Sequence, residues 1–323
     1  MAGRWNQDRD ADRAAIAELA GVDYDTLRET LAELNRASDP FITQIGPAWM
    51  LASAQDAWIQ LRRAVREDDL GRLEPVARRV LLERDPALDL SPDDRWRAAT
   101  VGKSPAHSGD LRRGLAVTLA LLGVYGEVID AGHGASGAQW ADRVVRVLLR
   151  EANADATGDM WNSLAGMLPP LAEAAPDAFL DGVRDATAGS SPVIATMFTD
   201  SGPRTATREF SRHHQVLWAL ERLAWSPDHF GRATGVLARL AEIDPDGYMR
   251  NRPFNSLVSI LSLQSPEAPA PGGARLEVIE RLRERSPDIA WRLMIALLPS
   301  PRALHDPVQK PEFRDWRPKE ASS

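Results

Sequence analysis

The chain has 323 residues, a net charge of -7 and no cysteine, with 44% apolar and 26% charged residues. Without cysteine there can be no disulfide framework, no cysteine zinc ligand and no thiol nucleophile, and the acidic balance argues against a dedicated nucleic-acid binder, which needs cations to neutralise phosphates. The strongest apolar run, residues 115–124, is about half of a membrane span, and the N-terminus lacks an apolar targeting segment, so a soluble, cytoplasmic protein with no membrane contact is expected.

The first elements form a distinct group, residues 1–66. Asp10 or Asp12 can cap a short helix carrying Ile16 and Leu19. After Gly21, Asp23 or Asp25 can start a second helix carrying Leu27, Leu31 and Leu34. Ala17, Gly21, Val22 and Leu27 have the spacing of a helix-turn-helix. Phe41-Ile42-Thr43-Gln44-Ile45 alternates like a strand, Gly46-Pro47 breaks it, and Ala48-Trp49-Met50-Leu51 returns as its hairpin partner. Ser53 caps a helix with Ala57, Trp58, Leu61 and Val65 on one face. Helix, turn, helix and hairpin is the order of a winged helix.

From residue 67 to 298 the pattern is helix and loop, as in an irregular α-helical repeat array of HEAT or armadillo kind. An amphipathic helix is predicted over 70–83, and a buried one, apolar almost all round, over 110–123. Trp140, Val144, Val147 and Leu148 share one helical face, as do Trp161, Leu164 and Leu168. Trp291, Met294, Ile295 and Leu298 do so later, and core packing is expected for Trp58, Trp140, Trp218, Trp225 and Trp291. A local pattern recurs at Ala175-Pro176-Asp177, Ser226-Pro227-Asp228 and Ser286-Pro287-Asp288, with a looser copy at Ser91-Pro92-Asp93. Each predicts a helix start, because the first turn tolerates proline and favours an acid. Residues 187–207 and 262–274 read as long loops. Residues 299–323 form a proline-rich tail that wraps over the surface, with Phe313 and Trp316 as anchors.

Motifs that suggest chemistry each fail at a named position. Gly102-Lys103-Ser104 ends like a phosphate-binding loop, but Arg97 stands where the first glycine belongs. Gly134-Ala135-Ser136-Gly137-Ala138 fails the nucleophile-elbow spacing at Ala138. His213 and His214 diverge on a helix, although Glu209 and Glu221 lie at spacings that could join one or the other. These four form the candidate polar cluster. No metal, cofactor or catalytic group is assigned. For nucleic acid, the candidate contacts are Arg28, Arg62, Arg63 and Arg66, but the second helix of the helix-turn-helix is net acidic.

The ordered set resembles a known arrangement. The winged helix is followed by Leu111-Arg112-Arg113-Gly114-Leu115-Ala116, by His213-His214-Gln215-Val216-Leu217-Trp218 and Leu223-Ala224-Trp225-Ser226-Pro227, then by Phe313-Arg314-Asp315-Trp316. It resembles the middle-to-C-terminal region of bacterial STAND-class signalling ATPases, many of which act in phage defence. The resemblance implies a non-catalytic sensor or scaffold whose helical array binds a protein partner, with a nucleotide-binding ATPase module as one such partner. No complete Walker A motif lies in this sequence, so nucleotide hydrolysis is not carried over. The alternative is a winged-helix regulator associated with nucleic acid.

Overall fold

The computed structural model describes residues 2–198, 212–245, 247, 249, 251–262, 269–299 and 307–316. Among these residues the chain is mostly helical, with a small three-stranded antiparallel sheet.

The sheet belongs to the N-terminal head, whose elements run β1 (Arg4–Asn6), α1 (Asp10–Ala20), α2 (Tyr24–Asn35), β2 (Ile42–Ile45), β3 (Ala48–Leu51) and α3 (Ala54–Leu61). The strand order is β1-β3-β2, so the hairpin strand β3 lies in the middle. The hairpin follows from its sequence: alternation on both arms, and Gly46 at the turn with φ 58°. Strand β1 is an addition that the sequence pattern does not announce. Trp5 pairs with Trp49 across the sheet, and the rings stack at 6.2 Å. Both indoles find acceptors, Trp5 on the Tyr24 hydroxyl at 3.0 Å and Trp49 on Gln7 Oε1 at 2.9 Å. Two large aromatic faces thus close a sheet too short to be stable alone.

Helix starts are partly as expected. Asp23 caps α2 by accepting from Thr26 N at 2.9 Å, and Ser53 caps α3 by accepting from Asp56 N. At α1 the expectation is corrected: Arg9 occupies the cap position with no side-chain cap bond, and Asp12 turns inward instead.

The remaining helices are α4 (Glu67–Leu81), α5 (Gly109–Tyr125), α6 (Gly137–Ala154), α7 (Asp159–Leu164), α8 (Leu168–Ala174), α9 (Pro176–Ala186), α10 (His213–Leu223), α11 (Phe230–Ile243), α12 (Pro253–Leu261), α13 (Gly272–Arg285) and α14 (Pro287–Ala296). Consecutive helices pack as pairs, α5 with α6, α8 with α9 and α10 with α11. The pairs then stack in two layers. One layer runs α5, α8, α10, α12, and the other α6, α9, α11, α13. The helix α5, with ten buried positions, is the hub: it touches β1 and α4 on the head side and α6 and α8 on the other. One continuous apolar core runs from Ala2 to Phe313.

Close packing of the backbone depends on two glycines of α5. A Cβ on Gly114 would lie 2.0 Å from Ala2 O, and one on Gly123 would lie 1.9 Å from Ala174 O. The first lets the N-terminal strand lie flat on α5, and the second lets α8 end against it.

Proline starts hold at Pro176 and Pro287, which open α9 and α14. Pro92 opens a 3-10 helix, Pro92–Val101. Pro227 differs in part: it lies in turns ahead of α11, which begins at Phe230, while Ser226 O takes the Phe230 N–H at 2.8 Å and so closes one helical-type turn around the proline. Trp291 is a correction. It is 64% exposed, with Ile295 and Leu298 also exposed, because α14 buries its other face through Ile289, Ala290 and Leu293. The predicted loop of 187–207 contains a 3-10 helix, Val193–Phe198, whose Ile194, Met197 and Phe198 are buried. Its residues 199–207, like 263–268 of the second loop, lie outside the described residues.

Candidate ligand pocket and buried polar ties

The buried polar groups of the frame join segments distant in sequence. Asp12 is fully buried. Its Oδ1 accepts from Ser108 N at 2.8 Å, and its Oδ2 accepts from Ser108 Oγ at 2.5 Å and from Asn6 N at 2.8 Å. Ser108 in turn caps α5 through Leu111 N. One carboxylate therefore ties β1, α1 and the start of α5 together. Arg112 donates to the carbonyls of Leu81 and Ser163, holding the end of α4 against α7. Burial lowers its pKa, and nearby Glu83 and Asp85 oppose that effect.

At the other end, Glu173 is fully buried on α8 and receives Arg222 at 2.7 Å. Its carboxylate also accepts the successive backbone N–H groups of Glu312, Phe313 and Arg314. Arg314 returns a bond to Glu173 O at 2.6 Å and another to Gly123 O at 3.1 Å. Residues 307–316 thus form a strap across α8 and α10. Phe313 is buried, and Trp316 packs on His229 with ring centroids 6.0 Å apart.

The candidate polar cluster is placed as follows. His213 is buried, its Nε2 lies 2.6 Å from Asn251 O, and its ring stacks on Phe198. His214 sits edge-on to Trp218 at 4.6 Å and bonds Gln215. Glu221 accepts from Ser256 Oγ at 2.6 Å and from Gln309 N at 3.0 Å, adding a second tie to the strap. Glu209 lies outside the described residues. The three described members therefore serve different neighbours. Among the described residues no group of His, Asp and Glu is arranged to hold a metal ion.

The candidate nucleic-acid contacts divide between two clefts. Arg62, Arg63 and Arg66 line one of them, together with Glu67, Asp68 and Asp130. Arg62 also lies over the Tyr125 ring. Arg28 lines another cleft, beside Arg36, Glu29 and Glu33, and pairs with Asp25 at 3.4 Å. Neither cleft has a surplus of cations of the kind that dominates phosphate binding.

In the two motif-like loops Lys103 and Ser136 have local partners. Lys103 Nζ binds Asp89 at 2.9 Å, and with Arg84 it holds that carboxyl below its usual range. Ser136 caps α6, exchanging bonds with Gln139. The preceding Gly132-His133-Gly134 turn runs through three positive φ values.

A third concave feature has no counterpart among the sequence motifs. A pocket of about 460 Å³ lies where the head meets the body. Its walls come from β1, β3, α3, α4 and α5, and include Met50, Ala54, Trp58, Val117 and Leu121. Its size falls within the range of small-molecule sites, roughly 300–1,000 Å³. Trp58 is 7% exposed, and its Nε1 is buried with no acceptor. A buried unpaired donor costs about 1–3 kcal/mol, and the Nε of Arg62 is a second such donor in the head. Two arginines reach the same pocket. Arg4 is closely paired with Asp110 at 2.5 Å. Arg113 is half-exposed and makes a longer contact, 3.6 Å, to Glu312 of the strap. Asp69 also lines the pocket, but it is engaged by Arg72 at 2.5 Å and by Arg66 N at 2.9 Å.

Comparison with protein-family models, with curated proteins and with solved structures finds no match to this chain. Among the described residues, no helix is long and apolar enough to cross a membrane.

Proposed function

We propose that the protein is a non-catalytic sensor or scaffold module of a bacterial signalling or defence system, in which a winged-helix head is fixed on a HEAT- or armadillo-like array that binds a protein partner. The observation that carries this reading is the use of the buried charges. Asp12 and Glu173 each collect backbone N–H groups from remote segments, and Arg112 collects carbonyls. Such groups are spent on holding a rigid frame, which suits a protein that presents surfaces.

Two features support the finer architecture. The order β1-β3-β2, with α1 and α2 between the first two strands, fits a winged helix. The two-layer stacking of consecutive helix pairs fits a repeat array, in which each pair contacts chiefly its neighbours. A nucleotide-binding ATPase module is the partner implied by the resemblance to STAND-class proteins. The acidic neighbours of Arg28, Arg62, Arg63 and Arg66 favour a protein partner over nucleic acid.

The test is light scattering and calorimetry of the whole chain mixed with a STAND-type ATPase module from the same cell. A discrete complex that survives high salt is expected. Hydrolysis of ATP by the chain alone would overturn the reading, as would duplex-DNA binding that falls steeply with salt.

A further inference from the structure

We infer that the pocket between the head and α5 binds a small amphipathic carboxylate, with an aliphatic chain among the apolar walls and the carboxylate meeting Arg113. This goes beyond the partner-binding reading and does not depend on it.

Two observations combine. First, three of the contributing elements bring apolar side chains: Met50 and Leu51 from β3, Ala54 and Trp58 from α3, Val117 and Leu121 from α5. At about 30 Å³ per water-sized group, the 460 Å³ space holds on the order of fifteen such groups, which suits a medium-length acyl chain. Second, the charged groups of the pocket are unevenly committed. Arg4 is paired with Asp110 and Asp69 with Arg72, both at 2.5 Å. Arg113 is half-exposed, and its contact to Glu312 is 3.6 Å. The charge most able to accept a new partner is therefore positive, and the ligand it selects is an anion. Occupation of Arg113 would draw it from Glu312, so ligand binding also touches the strap that Glu173 holds.

The probe is decanoate, titrated calorimetrically into the whole protein, with decanol as the uncharged control of equal length and anionic phospholipid vesicles as the membrane-borne source. Decanoate is expected to bind at least about tenfold more tightly than decanol. Arg113→Gln, on a half-exposed side chain, leaves the fold intact and should bring the two ligands level. Ala54→Leu fills the pocket from a half-buried position and should weaken both. If only vesicles bind, and both variants abolish that, the acyl anion comes from a lipid surface and the site stands. Failure of decanoate and vesicles alike to bind overturns the proposal, as does decanoate binding that neither variant changes. A complex with a protein partner that forms regardless would leave the scaffold reading intact while this one falls.

Discussion

The backbone N–H of Phe313 donates to Oε2 of Glu173 at 2.7 Å, across 140 residues of chain. The same carboxylate takes the N–H groups on either side and the Arg222 guanidinium, so a single buried side chain anchors the strap to the array. Removing one member of a buried charge pair leaves the other uncompensated, at a cost of about 3–5 kcal/mol. Glu173→Ala is therefore expected to destabilise the protein by about that amount in urea unfolding, and to expose the strap to proteolysis first. Glu173→Gln keeps one acceptor oxygen and should lose less. Equal stability of Glu173→Ala and the parent protein would contradict the anchoring role.

Asp12 performs the matching task at the head. Its oxygens accept Ser108 N, Ser108 Oγ and Asn6 N, with no cation among these contacts. Hydrogen bonds to a charged group contribute about 1.5–3 kcal/mol each, and a stranded N–H carries its own penalty, so Asp12→Ala should lose at least about 2 kcal/mol. Amide exchange should accelerate in residues 4–6 and in the first turn of α5, while α10 to α12 keep their protection. Uniform acceleration through the whole chain would show that Asp12 is not a local tie.

These two carboxylates explain which parts of the fold can be read from the sequence. The hairpin around Gly46-Pro47 and the caps at Asp23 and Ser53 are legible because each partner lies within a few residues. Strand β1 is not. Three residues carry no usable alternation, and Arg4–Asn6 is extended because β3 and α5 lie beside it. Asp12 looks like a helix cap, since nothing local announces Ser108 as its partner 96 residues on. The stripe of Trp291, Ile295 and Leu298 is visible as a helical face. Periodicity shows that a face exists, but the neighbouring elements decide which face is covered, and here it is that of Ile289 and Leu293. The pocket has the same character. Its walls come from separated stretches, and neither Trp58 nor Arg113 signals a site in its own neighbourhood.

The glycines of α5 give a prediction with an internal control. Glycine in a helix interior ordinarily loses about 0.5–1 kcal/mol relative to alanine. Gly235, exposed in α11 with open space around its Cβ position, should follow that rule, so Gly235→Ala should stabilise the protein by about that amount. Gly114 and Gly123 should do the reverse, because a Cβ at either would lie within about 2 Å of a backbone oxygen. Overpacking against backbone costs about 1–3 kcal/mol or more, so Gly114→Ala and Gly123→Ala should lower the urea midpoint. Gly114→Ala should also disturb the head more than the strap, and Gly123→Ala the strap more than the head. A stabilising Gly114→Ala would mean that β1 does not rest on α5.

The last prediction concerns acid. His229 is half-buried against Trp316, with Ser226 Oγ 2.7 Å from its Nδ1 and Asp177 3.4 Å from its Nε2. Burial lowers its pKa from the ordinary 6.5. Asp177 and Asp228 oppose that, and Arg232 and Arg314 reinforce it. The folded protein therefore disfavours the protonated ring. A lowered folded pKa places the stabilising contribution above the unfolded value, and it fades as pH falls from there through the folded value. The contact between strap and α11 should thus be firm near neutral pH and weaken below about pH 6.5. Quenching of Trp316 fluorescence by iodide, followed as a difference between the parent and Trp316→Phe, should rise on acidification. His229→Gln removes the titrating ring and should flatten that rise, while carboxylates elsewhere titrate equally in both proteins. A rise unchanged in His229→Gln would assign the acid sensitivity to another group, and an increase in burial of Trp316 on acidification would mean that protonation of His229 tightens the strap instead of loosening it.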